Sequence, residues 1–319
     1  MIGNIVVLGG TGFVGTHVCE KLVERSGGAG ALVVPTRRIG HARHLQPLPS
    51  LVPVQADVHD DAQLERLLST ADAVINLVAV LHGSESQFQR VHVELPRRLA
   101  RACATTGVRR LIHVSSLGAA PDAPSRYQRS KAAGEAALRS APGLECTILR
   151  PSVIFGEQDR FLNQFASLQK RLPLMPLARA AAKFQPVWVE DVARAIVACV
   201  DRRDSVGQTY ECVGPRVYTL AELVRCAGHW SGHPRPVLPL PDALGRVQAM
   251  LLELLPGEPL MSRDNLDSMH IDNVATGGLP DLHALGIEPM PLEGIAPLYL
   301  GRVGSRSHLN LFRMGARRG

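Results

Sequence analysis

The chain has 319 residues, 45% of them apolar and only 4% aromatic, and carries a formal charge of +6. That length suits one large domain plus a smaller one, and the aromatic shortage argues against a nucleic-acid stacking platform. Five arginines (Arg302, Arg306, Arg313, Arg317, Arg318) put +5 into the segment from Arg302 to Gly319, which holds no Asp or Glu, so the body is nearly neutral and no nucleic-acid partner is expected.

The six cysteines are scattered with no C-x-x-C pair, which predicts buried thiols in a reducing compartment and no metal site. A strand begins almost at once and no apolar run approaches the roughly 20 residues of a membrane span. A cytoplasmic protein is expected, with peripheral contact on the inner membrane face as a variant.

In chain order, Asn4 to Leu8 is a continuous apolar run, as a parallel strand buried on both faces requires. Gly9-Gly10-Thr11-Gly12-Phe13-Val14-Gly15 follows, and helical periodicity runs from Val14 to Val23. This G-x-x-G-x-x-G in strand–loop–helix context predicts a dinucleotide loop. One glycine permits the tight turn, one lets the backbone approach a pyrophosphate, and one allows close strand–helix packing. Backbone amides of Gly9, Thr11, Gly12, Phe13, Val14 and Gly15 at the helix N-terminus would hold the phosphates.

The second strand ends in Thr36-Arg37-Arg38, where an NAD-specific site would place a carboxylate on the ribose. Two guanidinium groups instead favour NADP(H) over NAD(H), unless they are solvated surface. Asp57 and Val58 follow the third strand and are placed to meet the adenine edge; Asp57 could equally cap the next helix. Leu77, Val78 and Ala79, after the fourth run (Ala73 to Val80), complete this side of the expected cofactor site.

The fifth run, Arg110 to Val114, leads into Ser115-Ser116, and Tyr127 and Lys131 follow on a predicted helix. Four residues apart, they share one face. A nearby ammonium would favour the phenolate, so that Tyr127 serves as acid or base while Ser116 holds the substrate oxygen. Strands alternating with helices predict an α/β Rossmann-type doubly wound parallel sheet over 1–151 and 187–213. A smaller, mostly helical lobe is expected from 152–186 and 214–300, and a basic tail from 301–319.

These residues resemble the short-chain dehydrogenase/reductase superfamily, in its extended or atypical NAD-dependent epimerase/dehydratase branch. The segments Leu149 to Gly156, Asp159 to Asn163 and Phe184 to Ala193 are similar, more narrowly, to the family of the NADPH-binding accessory subunit of respiratory complex I and its bacterial relatives. The resemblance implies Ser116, Tyr127 and Lys131 as the catalytic set, Lys131 also on the nicotinamide ribose, and Pro151, Ser152 and Val153 beside the nicotinamide. Ten residues separate Ser116 from Tyr127, fewer than in the sugar-nucleotide epimerases of the branch, which counts against a nucleotide-sugar substrate.

Two functions are therefore expected to compete. One is an NAD(P)-dependent oxidoreductase or epimerase acting on a small, lipophilic carbonyl or alcohol. The other is a nucleotide-holding structural or assembly protein linked to complex I or quinone metabolism, as the accessory-subunit family implies.

Among weaker features, Glu190-Asp191 reads as a helix N-terminal cap and His82 and His113 as isolated, hydrogen-bonded or surface histidines. Leu244, Val247, Leu251, Leu254 and Leu255 form a helical stripe expected to pack in the core of the second lobe, or else to form a lid or a docking face. The tail, with Leu309, Leu311, Phe312 and Met314 among its arginines, suits membrane or partner docking, or simple solvation.

Overall fold

In a computed structural model of the chain, residues 3–254 and 261–301 are described. Leu255 and the basic segment from Arg302 to Gly319 lie outside them.

β1 (Ile5–Leu8) is followed by α1 (Phe13–Ser26), β2 (Leu32–Thr36), β3 (Leu51–Gln55), α2 (Asp61–Leu68) and β4 (Ala73–Asn76). Then come α3 (Glu85–Phe88), a π-helical stretch Gln89–Glu94, α4 (Leu95–Thr106), β5 (Arg110–Val114), α5 (Arg126–Arg139) and β6 (Glu145–Pro151). After β7 (Ile154–Phe155), α6 (Phe161–Arg171), β8 (Met175–Ala178), β9 (Lys183–Phe184), β10 (Val187–Trp188) and α7 (Val189–Asp201), the chain returns as β11 (Thr209–Cys212).

Seven strands form one parallel sheet in the order β11-β6-β5-β4-β1-β2-β3. Every residue of β1 and β4 is buried, as continuous apolar runs demand when helices cover both faces. On one face Val18, Cys19 and Leu22 of α1 pack with Val192, Ile196 and Cys199 of α7. On the other, Leu64 and Leu68 of α2, Leu99 and Cys103 of α4, and Leu138 of α5 cover Val6, Leu8 and Val74. Pro53 lies in β3, at the sheet edge, where a missing N–H costs no ladder bond. The expected doubly wound sheet is present. Its order reverses between β1 and β4, and the loops at their carboxyl ends open a crevice there.

The rest comprises β12 (Tyr218–Thr219), α8 (Leu220–Trp230), β13 (Val237–Leu240), α9 (Asp242–Glu253), α10 (Arg263–Ser268) and α11 (Leu292–Leu300). A second cluster joins Leu162 and Ala166 of α6, Leu220, Leu223 and Val224 of α8, and Leu292 and Ala296 of α11. Three two-stranded pairs, β7 with β10, β9 with β12 and β8 with β13, add short ladders to a region whose sequence reads as helical and proline-punctuated.

The segment after Met261 runs back across the carboxyl edge of the sheet and is held by side chains. Asp264 accepts from the backbone N–H of Arg126 and Tyr127 at 2.8 and 3.1 Å. Asn273 Oδ1 accepts from Ser152 Oγ at 2.6 Å, and buried Glu211 accepts from Thr276 N–H and hydroxyl at 2.8 and 2.9 Å.

Two expectations are corrected here. The α9 stripe is not core: Leu244, Val247, Leu251 and Leu254 are all exposed, and the helix packs instead through Gly245 and Ala249. Nor do Glu190 and Asp191 cap α7, whose N-cap is Trp188. Both sit inside its first turn. Glu190 Oε1 lies 2.5 Å from His17 Nδ1, tying α7 to α1, and Asp191 accepts from Met290 N–H at 2.8 Å. Five cysteines are buried as expected, and Cys226 is partly exposed.

Candidate active site

The glycine loop is shaped by contacts that exclude side chains. A Cβ on Gly15 would lie 2.3 Å from Gly9 O and 2.6 Å from Gly10 Cα, so this turn of α1 presses directly on the loop. Gly9 has φ +82°, and a Cβ there would meet backbone atoms of Leu77 and Val78 at 3.1 and 3.2 Å. Gly12 differs. Its φ of −86° is ordinary, it is exposed, and the one atom near its Cβ position is Gly9 O at 3.3 Å. A Cβ at 12 would press on that carbonyl by only a few tenths of an ångström, far less than one at Gly15.

The helix start carries no acidic residue in its first turn and no side-chain cap, leaving its amides and positive dipole end to an anion. Phe13 turns its ring under Gly156, and Val14 packs on the core, so these two offer backbone rather than side chain. Thr11 is half-buried in the loop between Gly10 and Gly12.

Beyond the carboxyl ends of β2 and β3 lies a cleft of about 410 Å³ lined by Arg37, Gln55, Ala56, Asp57 and Gln63. Arg37 and Arg38 are both exposed, but only Arg37 lines the cleft. Asp57 does not cap the next helix, because Asp60 does, accepting from Gln63 N–H at 2.9 Å. Asp57 accepts from His59 N–H at 3.0 Å, and Val58 packs on the core beside it.

Leu77, Val78 and Ala79 form the loop after β4, opposite the glycine loop. Three contacts hold it: Leu77 N–H on Leu8 O at 2.9 Å, Val78 N–H on Asn76 Oδ1 at 3.2 Å, and Val80 N–H on His92 Nε2 at 3.1 Å. His113 is buried on β5 and pairs with Asn76 Nδ2 at 3.2 Å, as a hydrogen-bonded core histidine. His92 was not apparent from sequence. It lies in the π-helical stretch, with Nδ1 2.8 Å from Ser130 Oγ, which in turn donates to Tyr127 O at 2.7 Å. Its ring stacks on Phe88 and meets Tyr127 edge-on at 5.4 Å. Burial, with the Lys131 ammonium nearby, drives its pKa down to about 3, so it is neutral.

Tyr127 and Lys131 lie on α5, in its first and second turns, with Ser116 just beyond β5. Lys131 is buried and donates to Val114 O at 2.9 Å. Burial lowers its pKa to about 8, against the pull of Glu135.

Burial, rather than the Lys131 ammonium, dominates the surroundings of the Tyr127 phenol. Burial raises the Tyr127 pKa, and the hydroxyl facing the ring oxygen is that of Ser116, which offsets part of the rise. The lysine instead spends its contact on the Val114 carbonyl. The phenol therefore keeps its proton at neutral pH. Ser116 Oγ is buried and makes no well-formed hydrogen bond, so it is open to a further acceptor or donor.

Pro151 ends β6. Ser152 Oγ and Val153 N–H both engage Asn273 Oδ1, which fixes this loop while committing those two groups. Asp159, in the Asp159-to-Asn163 segment, is structural: it accepts from Leu162 N–H at 2.7 Å and from Tyr299 hydroxyl at 2.6 Å.

Two outcomes follow for the loop and the lysine. Gly15→Ala should cost about 1–3 kcal/mol in urea unfolding through overpacking against backbone, whereas Gly12→Ala should stay within about 1 kcal/mol of wild type. Gly12→Ala should nevertheless lower dinucleotide affinity at least about tenfold in calorimetric titration. For Lys131, the unfolded chain binds more protons than the folded one between the folded pKa of about 8 and the ordinary value of 10.5, so this group adds stability as pH rises through that window. The difference in unfolding free energy between wild type and Lys131→Met should therefore grow in favour of wild type from pH 8 to 10, by on the order of 2 kcal/mol. The buried thiols, common to both proteins, cancel in that difference.

Comparison with known proteins agrees with this geometry. Residues 5–213 match the model of the NAD dependent epimerase/dehydratase family. Subunit 9 of the NADH dehydrogenase [ubiquinone] 1 alpha subcomplex from Mus musculus is 36% identical over 295 residues, covering 90% of this chain and 77% of that protein. A ceramide reductase from Caulobacter vibrioides is 31% identical over 243 residues, covering 75% of this chain and 74% of that one. Among solved structures, UDP-glucuronic acid 4-epimerase from Bacillus cereus superposes with a TM-score of 0.66 at 18% identity, over 94% of this chain and 99% of that one. With the family model spanning the glycine loop, the Ser–Tyr–Lys set and the whole seven-stranded sheet, the chain belongs to the NAD-dependent epimerase/dehydratase family.

Proposed function

We propose that the protein is an oxidoreductase that reduces a lipophilic carbonyl compound with NADP(H). The observation that carries this reading is the Ser116–Tyr127 hydroxyl pair: a buried serine hydroxyl, without a well-formed hydrogen bond of its own, facing a phenol that keeps its proton. A carbonyl oxygen placed between them would accept from both, which polarises the bond and supplies the proton for the alcohol.

The family cofactor fits the residues present: Gly12 is exposed, the start of α1 is free of acidic residues and Arg37 lines a cleft. When bound, it supplies hydride from its nicotinamide ring. Gly9, Thr11, Gly12, Phe13, Val14 and Gly15 would hold the diphosphate; Asp57 and Val58 would border the adenine, and Leu77, Val78, Ala79, Pro151, Ser152 and Val153 would wall the nicotinamide side. Lys131, anchored on Val114 O, would donate to the ribose, and Arg37 would pair with a 2′-phosphate, with Arg38 beside it at the rim. A lipophilic substrate suits the exposed Leu81 on the loop after β4 and the ceramide reductase among the relatives.

A second reading is favoured by the similarity to the complex I subunit: a protein that holds its nucleotide without turnover and docks on a protein partner. The two differ in a measurable way. Incubated with NADPH and long-chain ketones or 3-oxoacyl lipids, the wild type should oxidise the nucleotide. Tyr127→Phe should lower the rate by about 10²–10⁴-fold while leaving NADPH affinity unchanged. Retained NADPH that no such carbonyl discharges would establish the second reading instead. For the cofactor preference, Arg37→Ala should weaken NADPH binding by about tenfold and leave NADH binding nearly unaltered; equal losses for both would refute a 2′-phosphate contact.

A further inference from the structure

α9 stands on small residues and turns its large ones outward. Gly245 sits against Ala178, where an added Cβ would come within 2.6 Å, and Ala249 is fully buried with Ala178 and Leu266. This close seating leaves Leu244, Val247, Met250, Leu251 and Leu254 between 45% and 77% exposed along one side. The charges on its flanks are neutralised from within: Arg246 by Asp267 at 2.9 Å, Asp242 by Arg179 at 3.0 Å and Glu253 by Arg263 at 2.9 Å. The stripe is thus an apolar, charge-balanced face.

It also adjoins the candidate site. Glu253, at the end of α9, accepts from the backbone N–H of Arg263 at 2.7 Å, and the next residue on α10, Asp264, holds the backbone N–H of Tyr127. Asp264 and Glu253 both act electrostatically on His82, in the loop after β4.

We propose that α9 seats the protein on an anionic phospholipid surface, its apolar side chains entering the acyl boundary beside the mouth of the site. Three observations favour lipid over protein as the occupant. The stripe is wholly aliphatic and thioether, without the Trp, Tyr or Arg anchors on which protein interfaces depend, whereas Leu and Val are under-represented there. Its exposed area, on the order of 500 Å², falls short of the ~800 Å² per partner of a stable dimer. The chain also continues past Gly301 as a segment with five arginines and no acidic residue, the charge complement of an anionic bilayer. Fully extended, those 18 residues reach ~60 Å, against a radius of gyration of ~20 Å for a body of this size, so the same surface lies within their range. An apolar face together with a polybasic stretch supplies the two signals that stable membrane attachment requires.

The test is co-sedimentation of the full chain with phosphatidylcholine–phosphatidylglycerol vesicles and with phosphatidylcholine vesicles alone. Wild type should partition onto the anionic vesicles, more weakly onto the neutral ones, and Leu244→Glu/Leu251→Glu should reduce the anionic partition at least about tenfold. Both positions are exposed, so the unfolding midpoint should hold; if it drops, Val247→Gln/Met250→Gln replaces the pair. Wild type left in the supernatant, or variants that sediment as wild type does, would overturn the proposal. So would lipid-free light scattering that shows a dimer dispersed by the same substitutions, since the face would then belong to a second copy.

Discussion

The contact on which the rest of the molecule depends is the seating of Gly15 against the carbonyl of Gly9. No Cβ fits between the third residue of α1 and the loop it leaves, so the helix starts as close to β1 as backbone atoms allow. That closeness aims the amides and the positive end of α1 at the crevice where the sheet order reverses. It also brings the loop after β4 against Gly9, so that two loops from neighbouring strands form a single wall. Gly12 is exposed at this helix end, in a backbone conformation any residue could adopt.

On the other side of the crevice, α5 is held from three directions. Asp264 binds the first amides of the helix from the far lobe, His92 reaches its Ser130 from the π-helical stretch between α3 and α4, and Lys131 reaches back to the end of β5. Each restraint comes from a different part of the chain, and together they fix Tyr127 where Ser116 faces it. The His92 contact has a further consequence. Because Nε2 accepts from Val80 N–H, Nδ1 carries the proton toward Ser130, and the imidazole bridges both walls of the site without a net charge. Burying the lysine lowers its proton affinity in spite of Glu135, and burying the phenol raises its own; both shifts follow from the cost of charge in a poorly solvated place.

The outward stripe of α9 has its cause in the opposite face of that helix. Gly245 and Ala249 let it lie almost flat on β8, so the interior has no room for its leucines. A helix with a strong apolar face would ordinarily turn that face inward. Here the smaller residues hold the inner position, which leaves the greasy side facing outward.

Much of this was legible in the sequence, because local rules sufficed. Buried parallel strands read as continuous apolar runs, and the glycine loop, the Tyr127–Lys131 spacing and the strand ends that carry Ser116, Arg37 and Asp57 all depend on residues near one another in the chain. What depended on distant partners was not legible. Nothing near His92 predicts Val80 and Ser130 as its neighbours, nothing near Asp264 predicts the start of α5, and Glu190 is explained by His17 and Lys21 on α1. The surroundings of the phenol were illegible for the same reason: spacing put a lysine on its face, but burial and the Val114 carbonyl decided which groups meet. Periodicity gave α9 its apolar stripe, yet only the packing of Gly245 on Ala178 decided which way that stripe points, since amphipathic pattern defines a face and tertiary contact chooses its partner.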